Sequence, residues 1–181
     1  MVSPEEPAAD QLPIDFGPPG PGARILPFLR RTAPPVPATE HPFDADGWCA
    51  RGAEREPDDP TGAYEAYRKA LDLDGDHAEA HVNLGRLLHE AGHVRAAEMH
   101  YRRALKSAPG HATALFNLGV ALEDLGSPRE AAKAYEQALV AEPDNADAHF
   151  NLSRLHERAG RKAAAIRHLK AYRDLIGRKL G

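Results

Sequence analysis

Residues 78–111 read AEAHVNLGRLLHEAGHVRAAEMHYRRALKSAPGH, and residues 112–145 read ATALFNLGVALEDLGSPREAAKAYEQALVAEPDN. Placed one above the other, the two segments carry leucine, glycine, alanine, tyrosine and proline at the same positions. The matched pairs are Leu84 and Leu118, Gly85 and Gly119, Leu88 and Leu122, Ala97 and Ala131, Tyr101 and Tyr135, Ala104 and Ala138, and Pro109 and Pro143. A fixed period of 34 residues predicts an array of helical repeats.

Each segment has the pattern of a helical hairpin. Apolar residues recur at helical spacing in both halves of a segment. Gly92 and Gly126 separate the halves, at the point where a first helix is expected to end. Gly85 and Gly119 leave room for the second helix to pack closely, because they carry no Cβ. A hairpin of this kind keeps an apolar face that only a neighbouring hairpin can cover.

The turn of the second segment also carries a predicted helix start. Ser127 is followed by Pro128, and Glu130 lies three residues after the serine. This order predicts Ser127 as the N-cap, the proline in the first turn, and Glu130 closing a capping box.

Two further copies of the pattern flank the two segments, a fainter one before them and one in register after them. Residues 43–77 keep the second half of the repeat, but Trp48 stands one place late and Arg51 occupies the expected glycine position. We expect a first helix over about 44–56, with the tryptophan as its core anchor. Residues 146–179 keep the register with Ser153 at the glycine position. Irregular end repeats are typical of such arrays.

The pattern resembles the tetratricopeptide repeat. The resemblance implies an all-α fold, a right-handed α-α superhelix of helical hairpins. The expected organisation is a disordered arm rich in proline and glycine over 1–42, and a repeat array over 43–181. Within the array we expect a degenerate repeat at 43–77 and regular repeats at 78–111, 112–145 and 146–179.

Composition supports a separate N-terminal arm. Eleven of the 16 prolines lie within residues 1–43, which argues against a packed domain there. The chain opens without the charged and apolar regions of a secretory signal, and no apolar run approaches membrane-spanning length. Cys49 is the only cysteine. These features predict a cytoplasmic protein that does not bind a membrane.

Basic residues concentrate at the C-terminal end. Residues 161–181 carry seven lysines and arginines against one acid. A basic tail is one mark of nucleic-acid binding, but no aromatic or groove-reading motif accompanies it here. Cations at the end of a final helix also suit the helix dipole. Nucleic-acid binding is therefore not predicted.

The segment from His89 to His93 spells HEAGH and matches the HExxH zinc-protease signature. That chemistry requires both histidines on one helix. Gly92 occupies the turn position of the repeat, so His93 is expected beyond the end of the helix. We predict no metal site, cofactor or catalytic residue, and therefore no enzyme. His81 and His149 fall where the repeat places a large packing residue, which predicts a core or interface role.

Three asparagines form the predicted functional signal. Asn83, Asn117 and Asn151 recur at the 34-residue period, each one residue before a buried leucine. We expect them on the inner surface that the first helices line, where an amide can pair with the peptide groups of an extended chain. The resemblance implies a non-catalytic adaptor or scaffold that binds a protein or peptide partner in this groove. The predicted peptide-binding residues are Asn83, Arg86, Glu90, Phe116, Asn117, Val120, Asp124, Phe150, Asn151 and Arg154.

A second resemblance gives the alternative. The segment QLPIDF at residues 11–16, a proline-rich linker, a helix with tryptophan and then repeats is similar to the C-terminal region of bacterial regulators with MerR-type DNA-binding heads. That resemblance implies a bacterial source and a regulatory or self-association arm without its DNA-binding head. An upstream helix-turn-helix in the gene would distinguish the two interpretations.

Overall fold

The structure is a computed structural model, and it describes residues 43–180. In this part of the chain there are eight α-helices and no strand. The helices are α1 (Ala45–Arg55), α2 (Pro60–Leu73), α3 (Ala78–Glu90), α4 (Val94–Ser107), α5 (Ala112–Asp124), α6 (Pro128–Ala141), α7 (Ala146–Arg158) and α8 (Lys162–Leu180). The predicted arm over 1–42 lies outside the described residues.

The helices pack as four consecutive hairpins. The most extensive contacts join α1 to α2, α3 to α4, α5 to α6 and α7 to α8. Smaller interfaces join each hairpin to the next, through α2 and α3, α4 and α5, and α6 and α7. Each apolar face left by one hairpin is thus covered by its neighbour. The predicted all-α superhelix of helical hairpins is confirmed.

Glycine on the first helix faces tyrosine on the second helix of the same hairpin. A Cβ on Gly85 would lie 2.7 Å from Cε1 of Tyr101. A Cβ on Gly119 would overlap the ring of Tyr135 in the same way. Both rings are fully buried. The expected close approach of the second helix at the glycines is confirmed, and tyrosine is the group that fills it.

The first hairpin corrects one feature of the sequence analysis. Its packing glycine is Gly52, where an added Cβ would lie 2.5 Å from Cε1 of Tyr67. Arg51, the residue in strict register, is exposed. The glycine shifts by one place because the segment from the glycine to its tyrosine is one residue shorter in this hairpin than in the second. Trp48 packs against this core as expected, with Phe43 edge-on at 5.4 Å.

The turns within the regular hairpins depend on glycine in the left-handed region. Gly92, Gly126 and Gly160 have φ angles of 82°, 74° and 71°. The predicted capping box is wrong, because the Ser127 side chain makes no capping hydrogen bond. Glu130 instead contacts a guanidinium nitrogen of Arg102 on α4, at 3.3 Å.

The last hairpin lacks the pairing of a glycine with a buried tyrosine. Ser153 is buried, and its hydroxyl donates to the carbonyl of Phe150 at 2.7 Å. Leu169 stands at the tyrosine position by the 34-residue register, but its side chain is 43% exposed and does not fill the core as the tyrosines do. Among residues 43–180, no helix combines the length and the apolar character needed to cross a membrane.

Candidate functional site

The first helices of the hairpins line one face of the array. α1 contacts α3, and α3 contacts α5, so successive first helices lie side by side. Within residues 43–180, second helices of successive hairpins make no contact of that extent. The row therefore curves toward the first helices, and we call the surface formed by α1, α3, α5 and α7 the concave face.

The asparagines hold equivalent places on this face. Asn83, Asn117 and Asn151 are each half-buried on α3, α5 and α7. The amide nitrogen of Asn83 lies 3.9 Å from Sγ of Cys49, and that of Asn151 donates to the hydroxyl of Tyr135 at 3.3 Å. Within residues 43–180 the three amide oxygens accept no hydrogen bond. These contacts fix the orientation of two of the amides.

Two tyrosine hydroxyls reach a carboxylate at the edge of the concave face. The Tyr67 hydroxyl donates to Oε2 of Glu56 at 2.7 Å, and the Tyr135 hydroxyl donates to Oε1 of Glu123 at 3.0 Å. Burial and the adjacent carboxylate raise the pKa of both tyrosines, so the hydroxyls stay protonated. Sequence reasoning missed Glu56, because the same one-residue shift that moved Gly52 hides its correspondence to Glu123.

Arg86 is paired with acids on both sides. It forms ion pairs with Glu56 and, at 3.2 Å, with Glu90. Burial acts to lower the pKa of Arg86, but the two carboxylates outweigh it and raise that pKa. A small pocket of about 290 Å³ lies beside this group, lined in part by Asn83, Ala53 and the guanidinium itself. Arg86 therefore contributes shape and hydrogen-bond donors here more than free positive charge.

Further charged pairs join neighbouring first helices. Nε2 of His89 lies 2.7 Å from Oδ2 of Asp124, which places that aspartate in a bridge from α3 to α5. Arg158 lies 3.7 Å from Glu123 and bridges α5 to α7. His93 follows the left-handed turn and occupies the N-cap position of α4 without a side-chain capping hydrogen bond. His89 thus lies on α3, whereas His93 lies beyond the end of that helix, as the repeat register predicted.

Apolar side chains lie next to the asparagines. Phe116 and Val120 are partly buried against the core, and the Phe116 ring lies 5.6 Å from that of Tyr135. Phe150 is 40% exposed, and Arg154 lies over its ring at 5.9 Å. The α7 end of the concave face therefore offers an accessible aromatic ring beside an arginine.

The ten predicted residues thus occupy three adjacent first helices. Those on α3 are Asn83, Arg86 and Glu90; those on α5 are Phe116, Asn117, Val120 and Asp124; those on α7 are Phe150, Asn151 and Arg154. Their role in binding stays a prediction. The electrostatics differ from the sequence expectation, since Arg86, Glu90 and Asp124 are already paired within the chain.

Comparison with solved structures supports the fold. MamA superimposes with a TM-score of 0.70 at 23% identity, over 78% of this chain and 83% of that protein. Pseudomonas aeruginosa PilF superimposes with a TM-score of 0.69 at 22% identity, over 74% and 62%. At these identities the likeness shows a shared fold. No curated protein sequence matches the chain.

Family models match almost the whole described region. Two models, each described as tetratricopeptide repeat, match residues 55–99 and residues 90–128 and 121–177. These matches concern the repeats alone, so the resemblance to MerR-type regulators stays a prediction. Such repeats generally mediate interactions between proteins. The 34-residue register, the paired helices and the matched models agree: this chain belongs to the tetratricopeptide repeat family.

Proposed function

We propose that this protein is a non-catalytic interaction module that binds an extended peptide segment of a partner protein along its concave face. The observation that carries the proposal is the row formed by Asn83, Asn117 and Asn151. The three amides stand at the same level of adjacent first helices, and their oxygens are free to accept hydrogen bonds.

The spacing of the row suits an extended chain. Packed helices lie about 8–10 Å apart, and an extended chain advances about 3.3 Å per residue. Adjacent asparagines therefore meet peptide groups about three residues apart. Each amide offers acceptor and donor groups, the complement of a peptide unit. Recognition through the main chain would give affinity with little dependence on the peptide's side chains.

The side chains next to the three asparagines determine which residues the peptide should carry. Phe116 and Val120 favour an apolar residue at its centre. Arg154 and Phe150 favour an acidic or aromatic residue over α7. At the α3 end Arg86 is shared by two carboxylates, Glu56 and Glu90, so the group keeps a net negative charge and favours a basic residue there. The expected ligand is an apolar-centred peptide with charges of opposite sign at its two ends.

The test uses peptides selected from a random phage-displayed library against the wild-type chain. Replacing Asn83, Asn117 and Asn151 together by alanine should weaken binding roughly 10- to 1000-fold, since each substitution removes hydrogen bonds worth about 0.5–1.5 kcal/mol. Lys170→Glu with Arg173→Glu, on the exposed side of α8, is the matched control and should bind as wild type.

Two results would contradict the proposal. One is a triple variant that keeps wild-type affinity. The other is a selected peptide whose binding fails only in the α8 variant, which would place the site on the basic final helix. Circular dichroism of each variant confirms that the loss is not unfolding.

A further inference from the structure

A pair of histidines joins the two helices of the second hairpin. Nδ1 of His81 on α3 lies 2.9 Å from Nδ1 of His100 on α4, with ring centroids 5.1 Å apart. His81 is only 2% exposed. A nitrogen-to-nitrogen distance of this size is a hydrogen bond, so one proton lies between the two Nδ1 atoms.

The fourth hairpin repeats the same arrangement. Nδ1 of His149 on α7 lies 2.9 Å from Nδ1 of His168 on α8. Both histidines stand 68 residues, two repeat periods, after those of the first pair. The intervening hairpin carries Leu115 and Ala134 at these positions. The chain therefore contains two histidine pairs and, between them, a hairpin that packs the same positions without histidine.

The outer nitrogen of each first-helix histidine fixes its tautomer. Nε2 of His81 lies 3.1 Å from the carbonyl oxygen of Gly75, and Nε2 of His149 lies 3.2 Å from that of Pro143. A carbonyl oxygen only accepts, so each Nε2 carries a proton and donates it. In the neutral ring the Nδ1 of His81 is then an acceptor, and the Nδ1–H of His100 is the donor. The fourth hairpin follows the same scheme.

Each pair thus ties together three parts of the chain. The first connects the turn before α3 with α3 and α4, and the second connects the turn before α7 with α7 and α8. The bond from Nε2 to the turn persists when the ring is protonated, so only the bond between the two helices depends on pH. We propose that the two histidine pairs are acid-sensitive latches, which hold the two helices of their own hairpin together when the rings are neutral and release that contact when both rings of a pair are protonated.

The bond between the two rings of a pair breaks only when two protons have been added to the neutral pair. A first added proton can enter at the free Nε2 of His100, and the Nδ1–H···Nδ1 bond survives. A second must enter at Nδ1 of His81, where it places two N–H groups against each other. The bond is then lost, and two positive charges face each other across about 3 Å.

Charges around the first pair oppose protonation overall. Arg103 on α4 acts on both rings, and His77 at the start of α3 acts on His81. Asp76, in the preceding turn, favours the charged form of His81. Burial dominates, and it lowers the pKa of His100 to about 4. It also lowers the pKa of His81, although the hydrogen bond to the Gly75 carbonyl acts in the opposite direction.

The second pair has a similar environment with one more ring. Burial, His149, His156 and Arg167 lower the pKa of His168 to about 4. His156 is 5% exposed, and its buried Nδ1 has no hydrogen-bond partner within residues 43–180. Glu136 on α6 favours the charged form of His156, whereas Arg161 opposes it.

The test measures amide hydrogen exchange of the whole chain at about pH 7 and about pH 4.5, on either side of the ordinary histidine pKa. After correction for intrinsic exchange rates, protection of α3, α4, α7 and α8 should fall roughly tenfold or more at acid pH. Protection of α5 and α6 should fall much less. Equal loss in all hairpins would overturn the proposal.

The intervening hairpin supplies the matched variants. His81→Leu with His100→Ala, and His149→Leu with His168→Ala, copy the residues that the third hairpin uses. Each should remove the acid response of its own hairpin and leave that of the other. The control is His93→Ala, which replaces an exposed histidine and should keep the wild-type response. An acid response that persists in the paired variants would overturn the proposal.

A second measurement on the wild type does not depend on folding of the variants. Long-range ¹H–¹⁵N correlation at neutral pH should show His81 and His149 protonated on Nε2, and His100 and His168 protonated on Nδ1. The opposite tautomers would refute the latch. So would tight, stoichiometric binding of Zn²⁺ at these nitrogens, since it would make the pairs metal ligands.

Discussion

Replacing Gly119 by alanine tests whether the contact between glycine and tyrosine determines how closely the two helices of a hairpin approach. Helix propensity alone predicts that alanine stabilises an interior helical position by about 1 kcal/mol over glycine. The added Cβ would lie 2.6 Å from Cδ1 and 2.9 Å from Cζ of Tyr135, and closer still to Cε1. Both distances are below any ordinary contact, so the ring or the helix must move.

The ring has little freedom to move away. Tyr135 is fully buried, and Glu123 and Asn151 hold its hydroxyl. Overpacking in a core costs about 1–3 kcal/mol, and we expect the upper part of that range here. After the propensity gain, Gly119→Ala should destabilise the chain by about 1–2 kcal/mol, and Gly119→Leu by more. Ser153→Gly should be tolerated, because that position already accepts a small residue.

Urea unfolding followed by far-UV circular dichroism measures the change in midpoint at constant m-value. Gly177→Ala is the matched control, because Gly177 is helical and no heavy atom would lie within 4 Å of its new Cβ. It should stabilise by up to about 1 kcal/mol. Tyr135→Leu, which removes the ring that the added Cβ would meet, should relieve the destabilisation caused by Gly119→Ala by about 1 kcal/mol in a double-mutant cycle. A stabilising Gly119→Ala, or no coupling to Tyr135, would refute the reasoning.

Three other outcomes follow from the structure. Asp59→Ala should destabilise the chain by about 1 kcal/mol, because Oδ1 of Asp59 accepts a hydrogen bond from the Gly62 amide at 2.9 Å. Ser127→Ala should change stability by no more than about 0.5 kcal/mol, because the serine side chain makes no capping hydrogen bond. Urea unfolding of both variants measures the difference. The unfolding free energy should fall as the pH drops from about 6.5 to 4, by at most about 1.4 kcal/mol per pH unit for each of His100 and His168. The reason is that the pKa of each histidine is lower in the folded chain, so the unfolded chain binds more protons over this range. Urea unfolding at several pH values in the range checks the sign. Purified chain without a histidine tag should hold far less than stoichiometric zinc by elemental analysis, and His93→Ala should leave stability nearly unchanged; tightly bound zinc lost on this substitution would contradict the assignment.

Most of the fold could be predicted from the residues that recur every 34 positions. Leucine, alanine and glycine at fixed offsets predict both helices of a hairpin and the turn between them, because each residue type suits one place in the packing. Gly92 and Gly126 marked helix ends correctly, since only glycine adopts their backbone angles without strain. Local rules were less reliable at Ser127. Its capping box competes with the ion pair that Glu130 forms with Arg102, a contact 28 residues away along the chain.

The candidate site could be predicted only in part. Position in the repeat placed the asparagines on one face, because helical phase is a property of the sequence. Partners across hairpins were not predictable in this way. Whether Arg86 is free or paired depends on Glu56, and the one-residue shift of the first hairpin conceals that contact. His81 and His149 were predicted to pack at a core or interface position, but their partners His100 and His168 were not predicted, and the shared proton depends on a distance of 2.9 Å that spacing cannot give.

Trp48 gives this array a spectroscopic asymmetry. It is the single tryptophan of the chain, and it lies in the first hairpin beneath the ammonium group of Lys69, 4.3 Å from the ring centroid. In arrays stabilised mainly by nearest-neighbour contacts, hairpins at the end can fray before those in the middle. Intrinsic tryptophan fluorescence therefore reports the melting of one terminal hairpin, whereas circular dichroism averages over all of them. Unfolding curves from the two signals describe different segments of the chain, and their separation measures how cooperatively the hairpins are coupled.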